Sequence, residues 1–444
     1  MIIRCPDYIN KALKLLENSG FSAYAVGGCV RDSIMGRNPN DWDMTTSSTP
    51  EETMKIFKDY RVIPTGIKHG TVTVIIDSNP IEITTMRIDG DYRDNRHPDC
   101  VSFTSDIVKD LARRDFTVNA MAYNHSVGLV DPFNGTQDIK ERIIRCVGNP
   151  DKRFNEDALR ILRALRFASV LNFRIDCKTE ESISENLHLI RNVANERIRV
   201  ELLKLLQGVG VEKILTDYKE VFFSIIPELR DTDNLKQNNR YHVYDVWTHT
   251  IKVVAGVRNT PVLRMAALLH DIGKPACLKT DDNGRTHFKG HAQKGAEIAE
   301  SILRKLKFSN KEIEEITMLI QLHDDYPDGD KHQVIKYCSE YSFETLRAAL
   351  DLMRGDASGK SPEIYSELIL SYETAERQID EIEASGLCLR IADLEINGED
   401  LRVLGFVGKE IGTALKALLK MVIDEKIINK KDVLLENAKY FKKL

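Results

Sequence analysis

Short runs in which apolar and polar positions alternate crowd the first part of the chain, then give way to a longer period. SAYAVGG, GTVTVII, IEITTMR and AMAYN fall between Phe21 and about Asn124, among short helical stretches, and this mixture predicts an α+β arrangement. In IEITTMR, Ile81 and Ile83 face one way while Glu82 and Thr84 face the other. After Asp131 the strand pattern stops. DALRILRALRFASVL, ERIRVELLKLL, KVVAGVRNTPVLRMAALLHDI and KEIEEITMLIQL repeat apolar residues every three or four positions, so the rest of the chain is expected to be nearly all helical. Gly and Pro punctuation in NPDKRF near 150, SIIPELRDTDN near 230 and SGLCLR near 388 marks the expected boundaries.

Bulk composition narrows the class. A length of 444 residues suggests roughly two to four domains. With 42% hydrophobic and 30% charged residues the chain is too apolar to be disordered and too evenly charged to be fibrous. The net charge of -5 offers no global basic field, so any RNA contact must come from local patches. Cys5, Cys29, Cys100, Cys146, Cys177, Cys277, Cys338 and Cys388 lie far apart with no CxxC pair, which suits reduced thiols in a cytoplasmic protein. The N-terminal MIIRCPDYINKALKLLENSG is amphipathic without the apolar core of a signal peptide, and no run of 18 apolar residues suggests a membrane partner.

The sharpest local chemistry is GGCVRD, Gly27 to Asp32, followed nine residues later by Asp41-Trp42-Asp43. Gly27 and Gly28 at the end of an apolar run allow backbone N–H groups close to a triphosphate, and Arg31 adds a charge-assisted donor. In a strand, Asp41 and Asp43 point the same way and suit Mg²⁺, although for DWD taken by itself a solvated turn is the plainer account. Glu82 is the candidate third carboxylate of a two-metal catalytic site, or else an acid on the wet face of an edge strand.

RRDFTVNAMAYN places Arg114 ahead of an apolar stretch, within reach of a phosphate or sugar. In EDALRILRALRFA, read as one helix, Asp157 and Arg160 are i and i+3, Arg163 and Arg166 continue the stripe, and Glu156 lies a turn before Arg160. A salt-bridged helix face is the plain account. The specific one is base selection: cytosine and adenine both show an amino donor beside an unprotonated ring nitrogen, matching a carboxylate that accepts and a guanidinium that donates.

GGCVRD, DWD, TTMRIDGDYRDNRHPD, RRDFTVNAMAY, EDALRILRALRF and NERIRVELLKLL occur in an order that resembles class II CCA-adding enzymes and bacterial poly(A) polymerases, closely from Phe21 to Leu206 and loosely beyond. The resemblance implies a polymerase-beta-like nucleotidyltransferase head over 1–140, a helical neck over 141–230, a helical body over 231–387 and a tRNA-binding tail over 388–444. It further implies metal binding by Asp41 and Asp43, triphosphate and sugar contacts from Gly28, Arg31 and Arg114, and selection of CTP and ATP by Asp157 and Arg160 with Arg163 and Arg166. Glu196 and Arg197 resemble the element that braces the selector helix. One departure is Arg96-His97-Pro98, where the family's loop usually reads Arg-Arg-Pro.

His249, His270-Asp271 in ALLHDIGK, His291, His323-Asp324 and Asp356 form an ordered set that resembles the HD phosphohydrolase family, whose members gather a divalent metal against a phosphate ester. An HD scaffold kept only for packing is the alternative. Gly405, Gly408 and Gly412 in the tail suit either a helix end near RNA phosphate or ordinary caps and turns.

The expected function is CCA addition to tRNA 3′ ends with Mg²⁺ at the head and a second divalent metal at the HD set. Poly(A) addition and CC-only or A-only addition are close rivals, while an HD hydrolase and a non-catalytic RNA-binding protein are rivals of another class. The set Asp41, Asp43, Asp157 and Arg160 speaks against the last two, and the full-length segment Asp89 to Phe103 resembles the flexible loop that CC-only relatives lack.

Overall fold

The computed structural model describes residues 2–67, 70–90, 101–238, 243–325 and 330–441. Arg96, His97 and Pro98, with most of the segment from Asp89 to Phe103, lie outside the described residues. The chain divides into two compact units, Met1–Pro227 and Glu228–Leu444. The first has a mixed α/β head, and the remainder of the chain is largely helical.

Among the described residues nine strands build the head: β1 (Ala23–Val26), β2 (Asp43–Thr46), β3 (Arg61–Gly66), β4 (Thr71–Ile76), β5 (Asn79–Thr85), β6 (Arg87–Asp89), β7 (Val101–Phe103), β8 (Ala122–Asn124) and β9 (Gly128–Val130). Seven form one sheet in the order β3-β4-β5-β2-β1-β8-β9, and β6 pairs with β7 apart from it. Only β2 and β5 run parallel, among otherwise antiparallel neighbours of this sheet. Asp77 and Ser78 turn the β4–β5 hairpin with φ of 49° and 66°, the left-handed pair that matches the twist of the strands. Alternation along β5 is as the sequence expects: Ile81, Ile83 and Thr85 are buried and Glu82 is exposed. Yet β5 lies between β4 and β2, so Glu82 stands on an interior strand and the edge-strand account fails.

Three other expectations change. The ladder of β2 begins at Asp43, opposite Val26, so Asp41 precedes the strand, although buried Trp42 between exposed Asp41 and Asp43 preserves the alternation. Small ladders join Ile143–Ile144 to Arg174–Ile175 and Lys279–Thr280 to Thr286–His287, each too short for a period of two to register in sequence. Finally, EDALRILRALRFA is two elements. Pro150–Glu156 ends at Asp157, whose backbone is extended (φ -147°, ψ 103°), and a second helix covers Leu159–Leu171. The Asp157 carboxylate accepts from Leu159 N at 3.1 Å and its carbonyl accepts from Arg160 N at 2.9 Å. The side chain thus caps the new helix instead of riding on it, a competition typical of Asp.

In the second unit, helices Val246–Gly256, Pro261–Leu269, His291–Lys305, Asn310–Leu322 and Phe343–Ser358 pack about one another. Thr260 with Pro261, and the Ser309–Glu312 capping box, fix where two of them start. The tail helices Gly398–Val403, Lys409–Ile423 and Lys431–Phe441 bury their own cluster around Leu401, Phe406, Leu418 and Leu434. Gly405 and Gly408 take positive φ in the turn between the first two of these, whereas Gly412 sits inside Lys409–Ile423. Among the described residues no helix is long and apolar enough to cross a membrane.

Asp115 ties the head to its following helices. Its Oδ2 accepts from Arg163 Nε at 2.9 Å and Nη2 at 2.6 Å, and its Oδ1 accepts from the Phe116 amide at 2.8 Å. Burial works against the charged form, but Arg163 outweighs it and the carboxyl pKa falls to about 2. A carboxyl depressed in the folded state contributes stability that is present above its ordinary pKa and lost as pH falls through the folded value. Asp115→Asn should therefore cost about 2 kcal/mol at neutral pH. It should also flatten the acid limb between about pH 4 and pH 2 relative to the parent. Urea unfolding of both proteins across that range measures this, and parallel acid limbs would refute it.

Candidate functional site

Two separate collections of polar side chains emerge, one in each unit. In the head, the parallel register sets Asp43 beside Glu82, and the antiparallel one sets Asp43 beside Val26, the residue before the Gly27-Gly28 turn. Parallel register partners share a face, so both carboxylates stand on the open side of the sheet near Asp41. Although Asp43 keeps solvent access, the surrounding protein and then Glu82 and Asp41 raise its pKa, with Arg114 opposing. A cation beside these carboxylates would relieve their mutual repulsion. They do not, however, form a group with donor atoms all within 4.8 Å, as the second unit's residues do.

Gly27 makes the turn from β1 into the helix Gly28–Ile34 with φ 80° and ψ -127°. A Cβ there would lie 3.1 Å from Arg114 Nη1, so the missing side chain gives Arg114 its place. Arg114 also pairs with buried Asp110 at 3.6 Å. Arg31, from the same turn, donates to Asn119 Oδ1 at 2.7 Å and to the Asp32 carboxylate at 2.9 and 3.0 Å. Glycine backbone, Arg31 and Arg114 therefore border the carboxylates on one side, an arrangement able to hold a polyphosphate.

The proposed base-reading side chains do not pair with each other. Asp157 accepts from Arg197 at 2.8 and 3.2 Å, and Arg160 donates to Glu156 at 2.6 Å and to the carbonyls of Arg153 and Arg113, each at 3.1 Å. Arg163 is engaged by Asp115 and Arg166 pairs with Glu201 at 2.6 Å. Arg31, Arg163 and Arg166 all approach the Phe167 ring, with guanidinium carbons 5.2, 5.4 and 3.8 Å from its centre. Sequence reasoning gave no role to Asp110, Asp115, Asn119, Phe167 or Glu201, which hold these arginines. Asp115 and Asn119 were visible within RRDFTVNA, but their partners were not.

The second unit brings together six of its seven sequence-identified His and Asp residues, with Asp324 at the edge. His249, His270, Asp271, His291, His323 and Asp356 are each under one-tenth exposed and come from helix ends and faces spread over the unit. His249 Nε2 lies 2.8 Å from Asp356 Oδ1, and His270 Nε2 lies 3.2 Å from Asp271 Oδ2. Among the described residues the compact ligand-type groups are His249, His270 and Asp271, and Asp271, His291 and His323. Lys274 pairs with Asp271 at 2.7 Å and Lys360 with Asp356 at 2.6 Å. Burial alone would keep both carboxyls protonated, but His270 and Lys274 at Asp271, and Lys360 and His249 at Asp356, hold them well below the usual range. Burial also disfavours protonation of His270, yet Asp271 and Asp356 outweigh it and raise its pKa, whereas burial and the field of His270 push His323 down to about 3. The cluster opens on a cavity of about 1220 Å³ that Lys274, Lys360, Phe288 and Tyr372 also line. Asp324 lies 3.6 Å from His291 Nδ1 at the edge of the cluster.

Comparison with known proteins supplies names for this arrangement. Residues 23–145 match the family described as poly A polymerase head domain, 172–221 the probable RNA and SrmB-binding site of polymerase A, and 286–438 the putative tRNA nucleotidyltransferase domain 2. A CCA-adding enzyme of Lactobacillus helveticus is 48% identical over 210 residues, 47% of this chain and 52% of that relative. A CCA-adding enzyme of Staphylococcus aureus is 32% identical over 416 residues, 92% of this chain and 90% of the relative. The crystal structure of the Bacillus stearothermophilus CCA-adding enzyme in complex with CTP superposes with a TM-score of 0.71 at 28% identity, covering 98% of this chain and 97% of that one.

The Gly27 turn yields a clean contrast. Gly27→Ala forces a side chain into left-handed backbone and against Arg114, so unfolding in urea should show a loss of about 1 to 3 kcal/mol. Gly28→Ala, whose Cβ would meet nothing nearer than Arg31 Nη2 at 3.7 Å, should stay within about 0.5 kcal/mol of the parent. Equal losses in the two variants would show that the turn does not need its glycine conformation.

Proposed function

Because this chain belongs to the CCA-adding enzyme family, and is a nucleotidyltransferase, we propose that its head transfers CMP and AMP from CTP and ATP to a tRNA 3′ end without a nucleic-acid template. The observation that carries the reading is the register of Asp43 against Glu82, beside a glycine turn flanked by Arg31 and Arg114. Asp41, Asp43 and Glu82 would hold Mg²⁺, a hard cation that suits crowded carboxylate oxygens. Bound there, the metal would activate the terminal 3′ hydroxyl and neutralise charge on the leaving pyrophosphate. The hydroxyl oxygen forms a bond to the α-phosphorus as the bond to pyrophosphate breaks.

In this reading the chain's own side chains orient the nucleotide. Gly27 and Gly28 let backbone approach the triphosphate, and Arg31 and Arg114 donate to its oxygens. Asp157 accepts from the amino group of cytosine or adenine, and Arg160 donates to the adjacent ring nitrogen, with Arg163 and Arg166 supporting them. Arg197 at 2.8 Å and Glu156 at 2.6 Å fix the directions of the two readers. We assign the head to 1–140, the selecting neck to 141–230, the body to 231–387 and the RNA-binding tail to 388–444. Cysteines that are all free among the described residues suit a cytoplasmic site of action, where tRNA is the substrate.

We further propose that the body is an HD-type module in which His249, His270, Asp271, His291, His323 and Asp356 hold a divalent cation and direct water at a phosphate ester. Support comes from His270 Nε2, which is buried without a hydrogen bond and aimed at Asp271. Mixed imidazole and carboxylate donors fit a borderline transition metal. Water's oxygen would bond to phosphorus as the ester oxygen departs with a proton. The scale of the adjoining cavity suits such a substrate better than a closed packing core does.

The direct test supplies tRNA ending at its discriminator base with CTP, ATP or both and Mg²⁺, then sequences the products. CCA is expected, whereas a long A tail or a stop at CC would select a rival transferase. Asp157→Ala should lower kcat/KM for CTP and ATP together and narrow their advantage over UTP and GTP roughly tenfold, since each lost contact costs about 1 to 3 kcal/mol. Unchanged preference ratios in Asp157→Ala and Arg160→Ala, with melting run alongside, would place selection elsewhere.

The two sites should also separate by mutation. Asp43→Ala is expected to cut nucleotide transfer by about 10³ or more, while metal-dependent hydrolysis of phosphomonoesters or cyclic phosphates persists. His270→Ala should do the reverse. Loss of both activities in either folded variant would refute independent sites.

A further inference from the structure

Resting on the reading of the first unit as a nucleotide site, we propose that Phe167 is a positioning residue for the reaction: the face of its ring fixes the direction in which Arg166 presents its guanidinium to the nucleotide. Phe167 is 6% exposed, so it acts through Arg166 and not by touching substrate.

The three arginines of the helix Leu159–Leu171 are not held alike. Arg160 donates through Nη1 and Nη2 to Glu156 and to two carbonyls, and Arg163 donates through Nε, Nη1 and Nη2 to Asp115 and Glu201. Hydrogen bonds are directional, so these two guanidiniums are already aimed. Arg166 makes no hydrogen bond among the described residues. Its Nε lies 2.6 Å from Glu201 Oε2, yet neither atom completes a hydrogen bond, so the contact is ionic and sets a distance without setting an angle.

What remains is the ring. The guanidinium carbon of Arg166 lies over Phe167 at 3.8 Å from the ring centre, a contact distance, whereas those of Arg31 and Arg163 stand off at 5.2 and 5.4 Å. Helix geometry does not impose this, because successive residues point about 100° apart and do not face each other. The ring is itself fixed: Phe116, fully buried in the head, meets it edge to face at 5.7 Å and 76°. Ring electrons also answer a problem of charge. Burial lowers the pKa of Arg166 against the pull of Glu201, and Arg163 and Arg31 lower it further. A negative ring face stabilises all three cations without neutralising any of them. Arg166 thereby stays charged, and its terminal N–H groups, which are not sealed from solvent as Nε is, keep their hydrogen bonds for an incoming nucleotide.

Fluorine withdraws electron density from a ring face at nearly constant size. A series with one, two and three fluorines on the Phe167 ring, installed in the full-length protein, therefore separates attraction from packing. Dissociation constants for CTP with Mg²⁺ are measured by equilibrium dialysis, beside KM and kcat for CMP addition and melting curves. The constant is expected to rise stepwise by roughly threefold to tenfold over the series, with KM following it and kcat nearly unchanged. Arg166→Met removes the cation and should silence the series, leaving fluorinated and plain rings with the same, weaker constant. Should that variant bind too weakly to measure, the series in the parent background decides. A flat series there, a slope that survives Arg166→Met, or a fall in melting temperature with unchanged CTP binding would overturn the role of the ring. A parent protein that binds no CTP would sink the nucleotide reading along with this proposal, whereas a flat series in a protein that binds CTP sinks the proposal alone.

Discussion

A buried carboxylate that must stay ionised organises the first unit. Asp115 lies within the head, between the helix Ile107–Ala112 and β8, and its charge is tolerable in the interior only because Arg163 meets it with two donors. Arg163 in turn shares Glu201 with Arg166, so one anion on the head and one on the helix Asn195–Leu206 hold a row of cations from the helix Leu159–Leu171. Asn119 completes the link by accepting from Arg31 and donating to Asp115. Arg31 and the arginines of the helix Leu159–Leu171 are thereby parts of one network, and neither can shift without unpairing a buried group in the other.

Much of this was legible in sequence because it depends on local periodicity. Alternation in IEITTMR was enough to send Glu82 to the open face, and the glycine pair after an apolar run announced the turn that Gly27 makes. The helical second unit showed its three-to-four spacing throughout, and the His/Asp set converges although His249 and Asp356 are 107 residues apart. What escaped were choices made by tertiary partners. Whether Asp157 continues a helix or caps the next depends on Leu159 N and Arg197 being available to it, and a helical period cannot report either. Likewise Asp115, Asn119 and Glu201 find arginines 48, 88 and 38 residues away, so their roles existed only once the chain had closed on itself.

The two sites use opposite solutions to the cost of concentrated charge. The head spreads Asp41, Asp43 and Glu82 over a solvent-accessible face beside the glycine turn. The body packs four largely buried imidazoles and two carboxylates at the wall of a cavity, where each anion already has an ammonium partner in Lys274 or Lys360. An open carboxylate set favours hard, weakly held, exchangeable ions, and a buried imidazole set favours softer ions held long term.

Asp157 has a further consequence through its bond to Arg197. A carboxylate that already accepts two donors, at 2.8 and 3.2 Å, is not an empty socket awaiting a base. On the proposed reading, an arriving nucleotide would enter an exchange in which its amino group displaces or joins an existing donor, and the free energy gained would be the small difference between the two partners. A base that brings a carbonyl to the same carboxylate would have nothing to exchange and would find the position taken, so the resting protein would reject it without having to close around it.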